Sequence, residues 1–340
     1  MAIIKLQGEL EKSRGVYYEV DPSRPPIGIG GMGRVYQGVC INENTRESKP
    51  VAIKFMFEDL PAYAIERARR EASIQLNNDN LIEMLGFIET RTMTDAGVVN
   101  HYHVVSELLH GVSLSDMLKG KNVDFEGHGL QYVADCQELR MKDPEAFAKE
   151  IVNHVLAGLT ALHDAGYIHR DIDPSNIMLT SDGHVKLIDF GIAKKVDDIA
   201  GFADGGEFTQ TGSFVGKPKY AAPEICLGDI KHQNKTTDIY AVGILLFQLI
   251  TGHLPFDGPT NDIVQMQLKS KMPVSEITNP ALRKIVKQAT EKQQEKRYQS
   301  ASEFRVALES ETESKSLSNA VIAGLALAGL ALGVALAFVI

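Results

Sequence analysis

The chain has 340 residues, 44% of them hydrophobic and 23% charged. That suffices for one large domain or two lobes and excludes a disordered chain. Its formal net charge of -9 speaks against nucleic acid as a partner, because phosphate-backbone binding needs a basic face.

Three cysteines occur, Cys40, Cys136 and Cys226, with no C-x-x-C pair. They suggest neither a disulfide framework nor a zinc site, and read as small apolar side chains in a reducing cytosol. The start, Met1-Ala-Ile-Ile-Lys, lacks the apolar core of a secretory signal. Residues 1–106 read as strand-rich. Segments 15–20 (GVYYEV), 34–39 (RVYQGV), 51–56 (VAIKFM) and 102–107 (YHVVSE) have the β-branched and aromatic density of strands. Between them, 64–76 reads as a charged amphipathic helix.

After residues 107–110 the pattern turns helical. Residues 145–166 form an apolar-striped helix with a glycine at its C-terminal end. Residues 238–252 (DIYAVGILLFQLITG) are apolar all round, which predicts a buried central helix. The polar stretch 119–143 reads as an insertion loop, and 310–319 (SETESKSLSN) as a polar linker. Residues 320–340 (AVIAGLALAGLALGVALAFVI) carry no charge. As a helix rising about 1.5 Å per residue, they span roughly 30 Å, the thickness of a bilayer's hydrocarbon core.

Gly28-Ile29-Gly30-Gly31-Met32-Gly33-Arg34-Val35 is a G-x-G-x-x-G. In dinucleotide-binding folds the last glycine of this pattern opens a helix. Here it runs into a strand sequence, so the glycines bend a hairpin, where backbone N–H groups can close over phosphate oxygens. Downstream stand Val51-Ala52-Ile53-Lys54, then Glu71 on the amphipathic helix, then His169-Arg170-Asp171-Ile172-Asp173-Pro174-Ser175-Asn176. Asp189-Phe190-Gly191 ends the strand segment HVKLIDF, and Ala222-Pro223-Glu224 follows, with Arg297 as a distant cation for Glu224. Asp238 opens the central helix and is placed to brace the loop at 169–176.

In order and spacing this set resembles the eukaryotic-type protein kinase family, from about residue 15 to 308, and most of all the bacterial transmembrane Ser/Thr kinases. The resemblance implies an α+β fold of two lobes: a β-rich N-lobe (1–106), a hinge (107–110) and a helical C-lobe (111–309). A juxtamembrane linker (310–319) and one C-terminal transmembrane helix (320–340) follow. It also implies ATP with Mg²⁺, or Mn²⁺ in its place, and transfer of the γ-phosphate to Ser/Thr of a protein substrate in a signalling role. The phosphates would lie under Gly28, Ile29, Gly30, Gly31, Met32, Gly33 and Arg34. The adenine would sit between Ile27, Val35 and Ala52 above and Met178 below, with its edge on the backbone of Glu107 and Leu109. Ser106 would line the back of that pocket. Lys54 would bridge the α and β phosphates, held by Glu71, with Glu66 as the alternative. Asn176 and Asp189 would contact the metal, and Asp171 would accept the hydroxyl proton.

Two positions depart from the family. Asp173 stands where a lysine normally touches the transferred phosphate, and Lys217 stands where the Ser/Thr members place a threonine before A-P-E. An unpaired carboxylate about 4 Å from the γ-phosphate would cost roughly 4 kcal/mol at an effective dielectric near 20. We therefore expect a swap, in which Lys217 pairs with Asp173 and supplies the missing cation. The bland alternative is a solvated lysine beside a degraded site, which would make the protein a nucleotide-binding scaffold without catalysis. A small-molecule kinase is a third reading, disfavoured by A-P-E and the long segment before it. Thr209, Thr211 and Ser213 in the glycine-rich stretch 201–216 are candidate phosphorylation sites that could pair with Arg170.

The apolar helix contains Gly329-Leu-Ala-Leu-Gly333, a small-residue pattern that favours helix pairing in lipid, so a homodimer is one expectation. Because ATP is cytosolic, the kinase lobes would face the cytosol, in a single-pass arrangement with membrane lipid as partner. The sequence ends with this helix, which leaves a tail-anchored form and a shortened one open.

Overall fold

A computed structural model describes residues 3–95, 97–189, 194–195 and 217–311. Its first part is a seven-stranded antiparallel sheet. Strands β1 (Ile4–Leu6), β2 (Val16–Val20), β4 (Gly33–Asn42), β5 (Ser48–Met56), β7 (Gly97–Glu107) and β6 (Met84–Thr94) lie side by side in that order. The short β3 (Gly28–Gly30) pairs with β4. Strand alternation divides the side chains between the two faces. Val51 and Ile53 are fully buried in an outer cluster with Leu6, Tyr18, Val20, Ile88 and Val105. Ala52 and Lys54 face the other way, onto a cleft.

Helix α1 (Glu9–Arg14) precedes β2, and α2 (Ala62–Ala72) packs on β6 and β7. Neither α1 nor β6 carries a strong periodic signal, and both are additions to the elements expected from the sequence. Helix α2 stops four residues short of the expected end. Ser73 Oγ bonds back to the Arg70 carbonyl at 2.6 Å, and Asn78 caps the backbone N–H of Asn80 in the polar run that follows.

Beyond Glu107 the chain becomes helical, after the short strand β8 (Gly111–Ser113). Helices α3 (Leu114–Leu118), α4 (Gln131–Lys142) and α5 (Pro144–Asp164) are followed by β9 (Tyr167–Ile168), β10 (Ile177–Thr180), β11 (Val185–Leu187) and β12 (Lys194–Lys195). Then come α6 (Pro223–Cys226), α7 (Lys235–Thr251), α8 (Thr260–Lys269) and α9 (Pro280–Ala289), and a last helix over 301–311. Helix α4 corrects the reading of 119–143 as a loop throughout. Val133 and Cys136 alone form its buried stripe, too little to stand out in so polar a sequence.

Helix α7 is buried on nearly every side, as its composition predicts, and α5 packs against it. One continuous core runs from Met56, Ala68 and Met84 in the first part to Phe147, Leu246 and Phe304 in the second. Backbone hydrogen bonds add to this seam: Ile82 N–H donates to Leu187 O and Leu187 N–H to Asn80 O. Among the described residues no helix is long and apolar enough to cross a membrane. The span expected at 320–340 lies outside them.

Candidate active site

A cleft of about 640 Å³ opens between the sheet and the helical part. Its roof is Ile27, Gly28, Ile29, Gly30 and Gly31 with Val35, Ala52 and Lys54. Its back is Glu71 and Ser106, its edge is Glu107 and Leu109, and its floor is Asn176, Met178 and Asp189. Residues more than a hundred positions apart thus share one space. A Cβ added at Gly30 or Gly31 would meet nothing within 4 Å, so both leave open room under the hairpin. At Gly33 a Cβ would lie 2.2 Å from the Phe55 carbonyl, so that glycine serves the β4–β5 packing.

Three of the residues expected around the phosphates do not line the cleft. Met32 packs against the core, Gly33 at the start of β4 packs against β5, and Arg34 points to the opposite face of β4, with its guanidinium 5.8 Å from the Phe57 ring. The alternation of β4 that brings Val35 inward turns Arg34 outward. Glu71, the carboxylate expected to hold Lys54, is buried in the same cleft, where Lys54 Nζ also pairs with Asp189 Oδ2 at 3.8 Å.

The edge of the cleft is built by Glu107. Its N–H donates to Glu83 O at 2.9 Å, and its carboxylate accepts from Glu83 N at 2.8 Å and Lys186 Nζ at 2.7 Å. Sequence reasoning missed Lys186. Its place in the alternation of HVKLIDF, opposite Met178, is the available signal.

The loop from His169 to Asn176 is anchored from below by Asp238 in the first turn of α7. Asp238 accepts from the backbone N–H of His169 (2.8 Å) and Arg170 (2.7 Å) and faces His163 Nε2 at 2.8 Å. Burial pushes its carboxyl up, but the bonds from His163 and the loop outweigh this and hold it below the usual carboxylate range. Arg170 (φ 70°) and Asp189 (φ 61°) both adopt left-handed backbone. Such conformations are uncommon for residues other than glycine and gather at functional sites.

Asn176 Nδ2 donates to the carbonyl and to Oδ2 of Asp171, both at 2.9 Å, which fixes the carboxylate beside the cleft. Burial raises the Asp171 pKa, with Lys217 acting against it and Asp173 adding to it. Asp173 itself is buried, and both its oxygens are occupied. Oδ1 accepts from the N–H and the hydroxyl of Ser175, each at 2.6 Å, and Oδ2 pairs with Lys217 Nζ. Lys217 also donates to Ser175 Oγ (2.8 Å) and stands 4.0 Å from Asp171 Oδ2. Burial alone would lower the Lys217 pKa, but the carboxylates of Asp171 and Asp173 outweigh it and raise it.

Lys217 lines a second cavity of about 610 Å³ as well, with Ser115, Lys119, Arg140, Asp173, Ser175, Lys219 and Tyr220. It therefore stands where the two spaces meet. Deeper in the fold, Arg297, the distant cation expected for Glu224, makes two bonds to it, at 2.8 and 3.0 Å. Phe190, Gly191 and the stretch 201–216, with Thr209, Thr211 and Ser213, lie outside the described residues.

Comparison with known proteins agrees with this geometry. Residues 23–308 match the family model described as "Protein kinase domain". The "Probable serine/threonine-protein kinase PknB" of Bifidobacterium longum is 32% identical over 290 residues, 82% of this chain and 38% of that protein. The "Serine/threonine-protein kinase pkn2" of Myxococcus xanthus is 30% identical over 296 residues, 83% of this chain and 31% of that protein. The "Serine/threonine-protein kinase PknB" of Mycobacterium tuberculosis is 30% identical over 293 residues, 83% and 41% respectively. The matched region thus spans about a third to two fifths of these relatives' length.

Proposed function

Since the chain belongs to the protein kinase family, we propose that it transfers the γ-phosphate of ATP to Ser or Thr hydroxyls of proteins. One observation carries the reading: Lys54, Asn176 and Asp189 line a single cleft, with Asp171 bonded to Asn176 at its side. The donor set suits a hard cation, since an Asn oxygen and a carboxylate are ligands of the kind Mg²⁺ or Mn²⁺ takes. Asn176 and Asp189 would hold that metal, whose charge neutralises the transferred phosphoryl group.

The chain's own residues do the rest. Gly30 and Gly31 leave space for phosphate oxygens, and Lys54 adds a cation on the same side. Asn176 orients Asp171 to accept the hydroxyl proton. The raised pKa of Asp171 makes it a better base than an ordinary aspartate. Lys217 supplies, from another stretch of chain, the positive charge that position 173 lacks. Catalysis is then mainly positioning and charge neutralisation.

The second cavity suits the polypeptide acceptor. Four cations, Lys119, Arg140, Lys217 and Lys219, line it against one carboxylate, Asp173. Asp116 and Asp257 offset Lys119 and Lys219 at 3.3 Å each, and Asp173 offsets Lys217, so Arg140 is the cation that favours acidic residues around the acceptor. The scaffold reading rests on Asp173 alone, and the Lys217 pair removes its main support.

For the membrane end, the uncharged stretch 320–340 supports a single span with the kinase region in the cytosol and a signalling role. Gly329 and Gly333 support pairing of two such helices. The test is incubation of the purified chain with γ-labelled ATP, Mg²⁺ and a generic protein substrate, with Asp171→Asn as control. Label on Ser or Thr that the control lacks supports the proposal. Nucleotide binding without transfer overturns it in favour of a scaffold.

A further inference from the structure

The loop that follows α3 brings Asp124, Glu126 and His128 up to His110, just past the cleft edge, and the reaction uses none of the four. Asp124 is almost wholly buried, its side chain 2% exposed. Its Oδ1 is taken up by the backbone N–H groups of Glu126 and His128, both at 2.9 Å. That leaves Oδ2 aimed at two imidazoles, His110 Nδ1 at 3.1 Å and His128 Nδ1 at 3.5 Å. Glu126 Oε2 faces the same two nitrogens at 3.7 and 3.4 Å.

Two features point past ordinary hydrogen bonding. Each Nδ1 faces two carboxylate oxygens, whereas one N–H can serve only one of them well. No lysine or arginine pairs with Asp124 or Glu126 among the described residues, so nothing permanently cationic balances a buried carboxylate and its neighbour.

From this geometry we infer that His110, Asp124, Glu126 and His128 bind a divalent transition-metal ion of the zinc class. With metal–ligand bonds of about 2.0–2.1 Å, neighbouring ligands of a tetrahedral site lie roughly 3.3 Å apart. The four nitrogen–oxygen separations, 3.1 to 3.7 Å, bracket that value. The donor set of two imidazoles and two carboxylates suits Zn²⁺ or Co²⁺ better than the all-oxygen preference of Mg²⁺ or Ca²⁺.

The loop is built before any ion arrives. Asp124 N–H bonds to His128 O at 3.0 Å, Val123 bridges Gly129, and Gly127 turns the chain with φ 86°. His110, Asp124 and Glu126 already converge within 4.8 Å of one another, and the exposed His128, 3.5 Å from Asp124 and 3.4 Å from Glu126 but outside that grouping, would swing in to complete the four. Phe125, between two of the ligands, stacks on the His110 ring at 5.1 Å and lines the large cleft. A metal here would fix one wall of that cleft. This last link rests on reading the cleft as the nucleotide site, whereas metal binding does not.

The test titrates Zn²⁺, and separately Co²⁺, into the metal-stripped full chain without nucleotide, by calorimetry and visible absorption. One ion per chain is expected, with the intense d–d bands of four-coordinate Co²⁺. Glu126→Gln and His128→Ala, both at exposed positions that leave the loop backbone intact, should each weaken binding by about tenfold or more. Absent binding, binding unchanged in both variants, or octahedral Co²⁺ spectra would each overturn the site. A chain that binds Zn²⁺ as described but transfers no phosphate would leave the site standing and remove only the kinase reading.

Discussion

Substituting Lys217 by Thr takes away the cation that faces both Asp173 and Asp171. Its ammonium stands 4.0 Å from Asp171 Oδ2. Two unit charges at that distance interact by about 4 kcal/mol at an effective dielectric of 20. The Lys217 side chain is 50% exposed, and solvent screening reduces the figure to about 2 kcal/mol. At 1.36 kcal/mol per decade this is about a 30-fold loss of kcat. Asp173→Lys fails for the opposite reason. It sets a second ammonium against Lys217 and removes the acceptor that holds Ser175. The double variant Asp173→Lys/Lys217→Thr restores one cation and no surplus carboxylate, so it should return to within about threefold of the parent, about tenfold above Lys217→Thr alone. The assay is steady-state phosphorylation of one peptide by all four proteins, with melting curves to confirm that each is folded. A double variant that falls by the product of the two single losses refutes the exchange of charges.

Asp171 must be ionised to accept a proton, and burial raises its pKa. The acid limb of kcat/KM should therefore lie above the ordinary aspartate value of about 3.9. Because Lys217 opposes that shift, Lys217→Thr should move the limb further toward neutrality; a limb that moves down contradicts the assignment. Arg297→Ala strands the buried Glu224 carboxylate and should cost about 3–5 kcal/mol in urea unfolding. Burial pushes the Glu224 pKa up, but Arg297 outweighs it and leaves it lowered. Its contribution is thus present above the unfolded glutamate value of about 4.3 and lost as pH falls below it; a stability loss on acidification that is the same in parent and Arg297→Ala would contradict this. Arg140→Glu places an acid in the second cavity and should reduce the preference for acidic over neutral peptides by about fivefold, as for a partly exposed charge pair. An unchanged ratio removes the cavity from substrate choice.

Much of this arrangement is legible from local pattern. The alternation in 51–56 places Ala52 and Lys54 on one face, and the all-round apolarity of 238–249 places α7 at the centre. Strand β6 escapes the same reading because Gly86 and a register shift interrupt it, and its outer half is polar. The contact of Lys54 with Asp189 escapes too, since it is decided by how the end of β11 approaches the sheet. The exchange between 173 and 217 was readable because a carboxylate beside a transferred phosphate demands a counter-charge. The His110–Asp124–Glu126–His128 group was not, although the alternate spacing at 124, 126 and 128 is its trace.

Asp173 and Lys217 lie 44 residues apart in the chain. The counter-charge next to Asp171 is therefore a property of the assembled tertiary structure and never of the local loop. Any conformer in which the stretch bearing Lys217 has swung away leaves two acids together with no counter-ion, and phosphate is repelled. On the function proposed above, transfer would then require both stretches to have met, whatever the nucleotide concentration around the protein.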